Sequence, residues 1–182
     1  MGVGETGEVC IGAVTSGEWA RRYKTMLGYH ARPQATADAL RDGVLHTGDL
    51  GFIDDAGYLH LQDRKSLVIL RGGANVYPAE VERVLHAAPG VRACAVIGLP
   101  DERLGERVMA AVELAAGASV SSEDLRAHYL ANLARYKVPE RFIFVDGFAR
   151  NSMGKILRRE LPPLFEPSAG GLVAGASDDR AG

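Results

Sequence analysis

Lys155 lies in the segment of the chain whose residue types are best suited to chemistry. The segment runs from Ala149 to Leu161 with the sequence Ala-Arg-Asn-Ser-Met-Gly-Lys-Ile-Leu-Arg-Arg-Glu-Leu, so a glycine directly precedes the lysine. A lysine ammonium is a compact point charge on a flexible stem, which suits a phosphate or the charge that develops in a transition state. The pattern predicts that Lys155 projects from the start of a short amphipathic helix. The alternative is a basic helix start that is merely solvated.

A second candidate is the tripeptide Thr47-Gly48-Asp49, which precedes a segment of strand-like sequence. The glycine predicts a tight turn from which the Asp49 carboxylate projects. A carboxylate held in this way can accept two hydrogen bonds from a diol, as acidic residues do with ribose in dinucleotide-binding folds. The alternative is an aspartate that only caps a loop.

The third candidate segment covers residues 63–82 and contains both a basic residue and a glycine pair. Arg64 follows one strand-like run, and Gly72 and Gly73 would let a ligand approach the backbone closely. A surface arginine followed by a turn that leads into a helix explains the segment equally well.

Turn residues and hydrophobic periodicity predict the elements around these candidates. Residues 52–61 predict a hairpin, because Asp-Asp-Ala-Gly separates two apolar segments. Residues 66–70 predict a further strand. Pro78 suits the first turn of a helix with an apolar stripe that ends near Gly90.

The later elements are predicted in the same way. Residues 92–98 and 108–114 predict two strands on either side of a charged loop at 100–106. Ser121 and Asp124 have the spacing of a capping box, which predicts a helix through about Leu133. A strand at residues 141–146 would then lead to the Lys155 segment.

This order of elements predicts an α+β fold, because a strand-rich region precedes a region of mixed helices and strands. We expect a small β-rich N-terminal piece at residues 1–65. A compact C-terminal lobe, with a short antiparallel sheet and helices, would follow at residues 66–165. Residues 166–182 are rich in Gly, Ala, Ser and Asp, and we expect a disordered tail there.

Composition argues against several classes of function. The formal net charge of -2 gives no general attraction to nucleic acid or to an anionic membrane, and no apolar run is long enough for a membrane span. Cys10 and Cys94 lie in apolar runs outside any Cys/His cluster, so we expect buried thiols and a cytoplasmic protein. The five histidines show no ligand spacing, and we expect no metal site.

Five motifs occur in a characteristic order along the chain. They are Gly28-Tyr-x-x-Arg-Pro-x-x-Thr36, His46-Thr-Gly-Asp-Leu-Gly51, the segment 63–82, Tyr136-Lys-Val-Pro139 and Asn151-Ser-Met-Gly-Lys-Ile-Leu-Arg-Arg159. With these motifs, the chain resembles the adenylate-forming enzymes from about Gly7 to Phe165. That family includes acyl-CoA synthetases, peptide-synthetase adenylation domains and luciferases.

The resemblance implies the C-terminal fragment of an ATP-dependent acid-CoA ligase. Such an enzyme converts a carboxylate and ATP into an acyl adenylate and pyrophosphate, and then forms acyl-CoA and AMP. ATP, Mg²⁺ and coenzyme A would be the cofactors of the full-length enzyme, and a small carboxylic acid or fatty acid would be the substrate.

The family's Ser/Thr/Gly-rich phosphate loop is absent from these 182 residues. The missing N-terminal domain of the same ligase would therefore be the partner, and the isolated chain is expected to be inactive. The alternative is a stand-alone, non-catalytic C-lobe that binds a partner protein or a CoA-like ligand. A homo-oligomer is left open.

The resemblance also assigns roles to matching positions. Asp49 and Arg64 would hold the ribose hydroxyls of ATP or AMP. Lys155 would bridge the substrate carboxylate and the α-phosphate, and would stabilise charge while a carboxylate oxygen attacks phosphorus and pyrophosphate leaves.

A rotation of the C-terminal lobe is the second feature that the resemblance implies. Ser66 corresponds to the hinge, although the family usually has Asp or Lys there, which leaves the hinge's charge interactions open. After rotation, Gly72 and Gly73 would border the pantetheine channel of coenzyme A. The residues at 14–24 look like an insertion, and no role is assigned to it.

Overall fold

A computed structural model describes residues 2–18, 20, 22 and 24–166 of the chain. The chain divides into two compact units, Met1–Ser66 and Leu67–Gly182. The predicted tail lies outside the described residues apart from Glu166, and so do Trp19, Arg21 and Tyr23 of the 14–24 segment. No helix within the described ranges is long and apolar enough to cross a membrane.

The unit Met1–Ser66 is built on one antiparallel sheet. Its elements are β1 (Gly7–Ile11), α1 (Pro33–Ala39), β2 (Leu40–Arg41), β3 (Val44–Ile53) and β4 (Leu59–Arg64). The long strand β3 pairs with β1, β2 and β4. The predicted hairpin is confirmed as β3 and β4. Asp54 Oδ1 closes its turn by accepting from the backbone N–H groups of Ala56 and Tyr58 at 3.0 and 2.9 Å.

In the unit Leu67–Gly182, the residues up to Glu166 that the structure describes form a five-stranded sheet and two α-helices. Its elements are β5 (Ile69–Arg71), β6 (Ala74–Val76), α2 (Pro78–His86), β7 (Val91–Asp101), β8 (Gly105–Leu114), α3 (Ser122–Asn132) and β9 (Arg141–Phe144). The strand order is β6-β5-β8-β7, and β9 also pairs with β8. The expected α+β fold is confirmed. One strand pair, β8 with β9, is parallel, which is possible because the connection through α3 is long enough for a crossover.

The strands β7 and β8 separate two hydrophobic clusters, because alternate residues of a strand point to opposite faces of the sheet. On one face Cys94 and Val96 pack with apolar residues of α2 and α3, and the ring of Tyr129 in α3 stacks on Phe142 of β9 at 5.7 Å. On the other face, a second cluster includes Ala95, Ile97, Met109, Ala111, Leu161 and Phe165. The last two belong to the segment that follows Lys155, so this segment covers one face of the sheet.

Short sequence patterns predicted correctly where α2 and α3 begin. The predicted capping box opens α3: Ser121 Oγ accepts from the Asp124 N–H at 3.1 Å, and Asp124 Oδ2 accepts from the Ser121 N–H at 3.0 Å. Such a cap stabilises a helix by about 1 kcal/mol. Helix α2 begins at Pro78, as predicted, with Glu80 in its first turn.

Two predicted boundaries were wrong. The strand predicted at 66–70 is preceded by a 3-10 turn, Lys65–Leu67, so β5 begins only at Ile69. The charged loop predicted at 100–106 is mostly strand, since pairing of β7 with β8 continues to Asp101↔Gly105. Asp101 Oδ1 accepts from the N–H groups of Arg103 and Leu104 at 3.1 and 2.9 Å, which allows so short a turn.

Candidate functional site

Asp49 lies within β3 and not on a turn before a strand, so that prediction was wrong. Between the pairs Cys10↔His46 and Glu8↔Leu50, one residue of β1 faces three residues of β3. This irregularity is a β-bulge, a device that re-aims side chains and is frequent beside functional sites.

The bulge is fixed by the residue types at its centre. Gly48 has a φ of 74°, a left-handed conformation that costs a residue with a Cβ more than it costs glycine. Thr47 Oγ1 donates to the Val9 carbonyl at 2.7 Å and accepts from the Asp49 N–H at 3.1 Å. The sequence Thr-Gly-Asp therefore sets the backbone from which the Asp49 carboxylate projects.

Asp49 and Arg64 are cross-strand neighbours, and the structure brings their side chains together. Arg64 Nε lies 2.7 Å from Asp49 Oδ1, with the two side chains 61% and 33% exposed. An ion pair this exposed contributes only about 0 to 1 kcal/mol to stability. Breaking this ion pair so that its two groups can bind the hydroxyls of a ligand would therefore cost little free energy.

Ser66 is the central residue of the 3-10 turn Lys65–Leu67, and it is exposed. The division between the two compact units falls directly after it. Its neighbour Lys65 is held within the first unit, because Lys65 Nζ lies 3.1 Å from Glu8 Oε2.

Gly72 and Gly73 form the two-residue turn between β5 and β6. Their φ angles are 57° and 81°, and two successive positive φ angles are typical of a tight hairpin turn. The Gly72 N–H donates to the Leu104 carbonyl at 2.7 Å, which fastens this turn to the turn between β7 and β8.

A cleft of about 560 Å³ adjoins the glycine turn. It is lined by Arg71, Gly72, Ala74, Arg103, Leu104, Arg135 and Tyr136. Arg71 is occupied, since it donates to the Tyr136 carbonyl and pairs with Glu140. Arg103 and Arg135 make no side-chain ion pair with any residue that the structure describes. The cleft is therefore lined by two guanidinium groups without an ion pair, although the charge of Arg103 also helps to lower the pKa of Asp101. Sequence reasoning missed it because its lining comes from three separate parts of the chain.

Lys155 does not begin a helix, contrary to prediction, but stands on a tight hairpin turn. The strands of this hairpin meet at the bridge Arg150↔Ile156. Asn151 Oδ1 accepts from the N–H groups of Met153 and Lys155 at 3.0 and 2.9 Å, and the Asn151 N–H donates to the Lys155 carbonyl at 2.9 Å. The backbone of Lys155 is thus held on both sides by one asparagine.

The Lys155 ammonium itself is not committed. The side chain is exposed, and Nζ has no hydrogen bond or ion pair with any of the described residues. Gly154, with a φ of 78°, supplies the left-handed conformation that the turn needs just before it. Lys155 does not line the cleft beside Gly72. The result is an exposed cation, without a partner among the described residues, on a backbone held by hydrogen bonds.

Glu82 anchors the chain just beyond the hairpin, a contact that sequence reasoning did not predict. Arg158 Nη2 donates to Glu82 Oε1 and Oε2 at 2.6 and 2.8 Å. Glu82 Oε1 also accepts from the Val96 N–H at 2.7 Å. One carboxylate on α2 therefore holds both β7 and the segment that carries Lys155.

The two cysteines differ in their exposure to solvent. Cys94 is buried as predicted, and burial raises the pKa of its thiol to about 12, with a smaller contribution from the charge of Glu82. Cys10 is exposed, so the expectation of a buried thiol was wrong there. Its Sγ lies 3.5 Å from His46 Nδ1.

Comparison with known proteins agrees with this description. Residues 80–155 match the family described as the AMP-binding enzyme C-terminal domain. A fatty acid--[acyl-carrier-protein] ligase of Streptomyces coeruleorubidus is 44% identical over 162 residues, which are 89% of this chain and 30% of that protein. A 2-succinylbenzoate--CoA ligase of Geobacillus kaustophilus is 49% identical over 138 residues, or 76% of this chain and 28% of that protein.

Solved structures of related enzymes are also similar to most of this chain. An o-succinylbenzoate CoA synthetase from Bacillus subtilis, in complex with its acyl-adenylate intermediate, superimposes with a TM-score of 0.77 at 34% identity. That match covers 94% of this chain and 33% of the other. The chain thus spans about 30% of the length of the curated relatives described above.

Proposed function

Since the chain belongs to the adenylate-forming enzymes and carries their C-terminal domain, we propose that it acts as the C-terminal part of an ATP-dependent acid-CoA ligase. Its residues 1–65 would end the large N-terminal domain, and residues 66–165 would form the mobile lobe. The substrate would be a fatty acid or another small carboxylic acid. The observation that carries the proposal is the uncommitted ammonium of Lys155 on a fixed hairpin.

In the first half-reaction, a carboxylate oxygen attacks the α-phosphorus of ATP and pyrophosphate leaves. Lys155 would lie between the carboxylate and the α-phosphate, where it would offset the charge that builds up as the new P–O bond forms. A preorganised charge in such a place is worth roughly 3 kcal/mol in the transition state. The fixed backbone of Lys155 supports this role, because the hydrogen bonds of the turn lie within the turn itself.

Asp49 and Arg64 would hold the ribose of ATP or AMP. The Asp49 carboxylate accepts hydrogen bonds from hydroxyl groups, and the Arg64 guanidinium donates them. Their present ion pair keeps both groups oriented on adjacent strands. The hydroxyls of a ligand would then bind to the Asp49 carboxylate and the Arg64 guanidinium while these two charges stay next to each other.

In the second half-reaction, the thiol of coenzyme A attacks the acyl adenylate and AMP leaves. We assign Gly72 and Gly73 to the pantetheine channel. The cleft beside them supports this assignment, since Arg103 and Arg135 provide positive charge for the phosphates of coenzyme A. Ser66 would be the hinge that brings the second face of the lobe into use.

Mg²⁺ would enter with the phosphates of ATP. Among the described residues, the donor group that could hold a metal ion contains a thiol and an imidazole. Mg²⁺ requires oxygen ligands, so that group does not fit it. We therefore assign no Mg²⁺ ligand to this chain.

The missing N-terminal domain would be the partner of this chain. Four apolar side chains around the β3–β4 hairpin support this, since they are more than half exposed: Ile53, Tyr58, Leu59 and Leu61. A group of apolar residues so exposed is typical of a surface that another part of the protein covers. We expect the isolated chain not to catalyse adenylation.

The test is pyrophosphate exchange by the full-length enzyme with Lys155→Ala. We expect exchange to fall by about 10²- to 10³-fold, while thioester formation from added acyl adenylate stays near the wild-type rate. Arg159→Ala is the matched control, because Arg159 is a nearby cation with a side chain 79% exposed. Unchanged exchange in the Lys155 variant would overturn its assignment. Micromolar binding of coenzyme A by the isolated chain, together with that result, would favour the stand-alone binding module.

A further inference from the structure

Three side chains with different ligand atoms meet on one face of β1 and β3. Glu8 and Cys10 are two residues apart on β1, so both point to the same side of the sheet. His46 on β3 is the cross-strand neighbour of Cys10. One carboxylate oxygen, Cys10 Sγ and one ring nitrogen of His46 lie within 4.8 Å of one another.

The two distances from His46 Nδ1 match those between the ligands of one metal ion. A tetrahedral Zn²⁺ ion, with bonds of about 2.3 Å to sulfur and about 2.0 to 2.1 Å to nitrogen or oxygen, holds its ligand atoms roughly 3.3 to 3.6 Å apart. Here His46 Nδ1 lies 3.5 Å from Cys10 Sγ and 3.3 Å from Glu8 Oε2. The protein side of such a site is therefore arranged without large movement of the strands.

The surroundings orient these groups and leave them accessible. Glu8 Oε1 accepts from the Gly48 N–H at 3.2 Å, which leaves the other oxygen directed toward His46. The side chains of His46 and Glu8 are 25% and 20% exposed, and Cys10 is exposed. Solvent can therefore reach the group and provide a fourth ligand.

Lys65 is the competitor for this site. Its Nζ lies 3.1 Å from Glu8 Oε2. Because the Lys65 side chain is 62% exposed, it can move into solvent when a metal ion takes its place.

We propose that Glu8, Cys10 and His46 form a binding site for a borderline-soft divalent metal ion of the Zn²⁺ class, with water as the fourth ligand. A thiolate, an imidazole and a carboxylate are the donors that such ions bind, whereas Mg²⁺ and Ca²⁺ prefer oxygen alone. Binding replaces the proton of the Cys10 thiol by the metal ion and releases that proton to solvent, with no change of oxidation state. The observations behind this site do not rest on the proposed ligase activity.

The experiment is a titration of the reduced 182-residue chain with Co²⁺, followed by displacement with Zn²⁺. We expect one equivalent of Co²⁺ to produce a thiolate-to-metal charge-transfer band and the strong visible bands of a four-coordinate ion. One equivalent of Zn²⁺ should remove both. Cys10→Ser should abolish the charge-transfer band, and His46→Ala and Glu8→Gln should each weaken binding by at least about tenfold.

Two further variants separate a metal site from an ordinary polar cluster. Lys65→Met removes the competing cation, so we expect it to strengthen Co²⁺ binding. His60→Gln is the matched control, since His60 pairs with Asp54 at 2.6 Å in the same sheet but is not part of the thiol group. It should leave the titration unchanged. The proposal is overturned if wild type shows no charge-transfer band, or if the band survives Cys10→Ser in a chain with native circular dichroism.

Discussion

Two ion pairs of nearly equal length, one in each unit, differ in their exposure to solvent and in their other hydrogen-bond partners. Arg64 and Asp49 in the first unit are 2.7 Å apart, and Arg158 and Glu82 in the second are 2.6 Å apart. The side chains of the first pair are 61% and 33% exposed, whereas those of the second are 30% and 15% exposed. Distance alone does not distinguish a binding group from a structural one, but burial and the remaining partners do.

The remaining partners explain the difference. Glu82 also accepts from the backbone of Val96, so removing it would leave a backbone N–H and a guanidinium without their acceptor. A broken pair of this kind leaves an uncompensated charge that is costly to keep away from water. At the surface, water replaces the lost partner of Arg64 at little cost. We therefore expect the partly buried pair to contribute more to the stability of the fold than the exposed pair does.

Glu82→Ala tests the partly buried pair and should have the largest effect. We expect it to destabilise the unit Leu67–Gly182 by about 3 kcal/mol, because it breaks a partly buried ion pair and a hydrogen bond to the backbone. Native-state hydrogen exchange at the amide of Val112, which is fully buried in β8, measures the free energy of this unit by itself.

Glu82→Gln is the control for this experiment. The amide oxygen retains an acceptor for the Val96 N–H, while the charge and one acceptor for Arg158 are lost, so we expect a smaller loss than with alanine. A loss below about 1 kcal/mol in the alanine variant would contradict the structural role of the pair.

Asp49→Ala tests the exposed side. We expect the stability of the chain to change by less than about 1 kcal/mol, since the pair is exposed. In the full-length enzyme, we expect the KM for ATP to rise about tenfold to a hundredfold, since hydrogen bonds to a charged group contribute about 1.5 to 3 kcal/mol. The matched control is Asp55→Ala in the β3–β4 turn, which should change neither quantity. A large loss of stability with an unchanged KM for ATP would mean that Asp49 stabilises the fold and does not bind the nucleotide.

The sequence predicted those parts of the molecule that depend on near neighbours. The cap of α3 needs only Ser121 and Asp124, and the hairpin turn needs only Asp54 and the residues after it, so local pattern was sufficient. The motif residues Asp49 and Arg64 were also singled out in advance, and the structure pairs them.

Contacts between distant residues could not be predicted in the same way. Glu82 and Arg158 are 76 positions apart, and neither residue type indicates its partner. The parallel pairing of β9 with β8 and the exposure of Cys10 likewise depend on how the whole sheet assembles. The helix start predicted for Lys155 was wrong because the Asn151 side chain favours a turn over a helix at this point.

Asn151→Ala tests whether the hairpin backbone that carries Lys155 contributes to activity independently of the Arg158–Glu82 ion pair. Removal of the Asn151 side chain leaves the N–H groups of Met153 and Lys155 without their acceptor. We expect pyrophosphate exchange in the full-length enzyme to fall by about tenfold, equivalent to about 1.4 kcal/mol of lost preorganisation.

Ser152→Ala is the control for the hairpin, since it changes a neighbouring exposed residue of the same turn. It should leave exchange near the wild-type value. Equal losses in both variants would mean that Asn151 has no special part in holding Lys155.

Paired Arg→Lys substitutions should give the smallest effects and the most direct comparison. Arg158→Lys replaces a guanidinium that contacts both oxygens of Glu82 by a point charge, and we expect a loss of about 1 kcal/mol in the stability of the second unit. Arg64→Lys makes the same chemical change at an exposed pair, where we expect less than about 0.5 kcal/mol. Hydrogen exchange measures both within their own units. Burial makes the geometry of a guanidinium more valuable than its charge. Similar values for the two variants would therefore show that the difference in burial does not distinguish these two ion pairs.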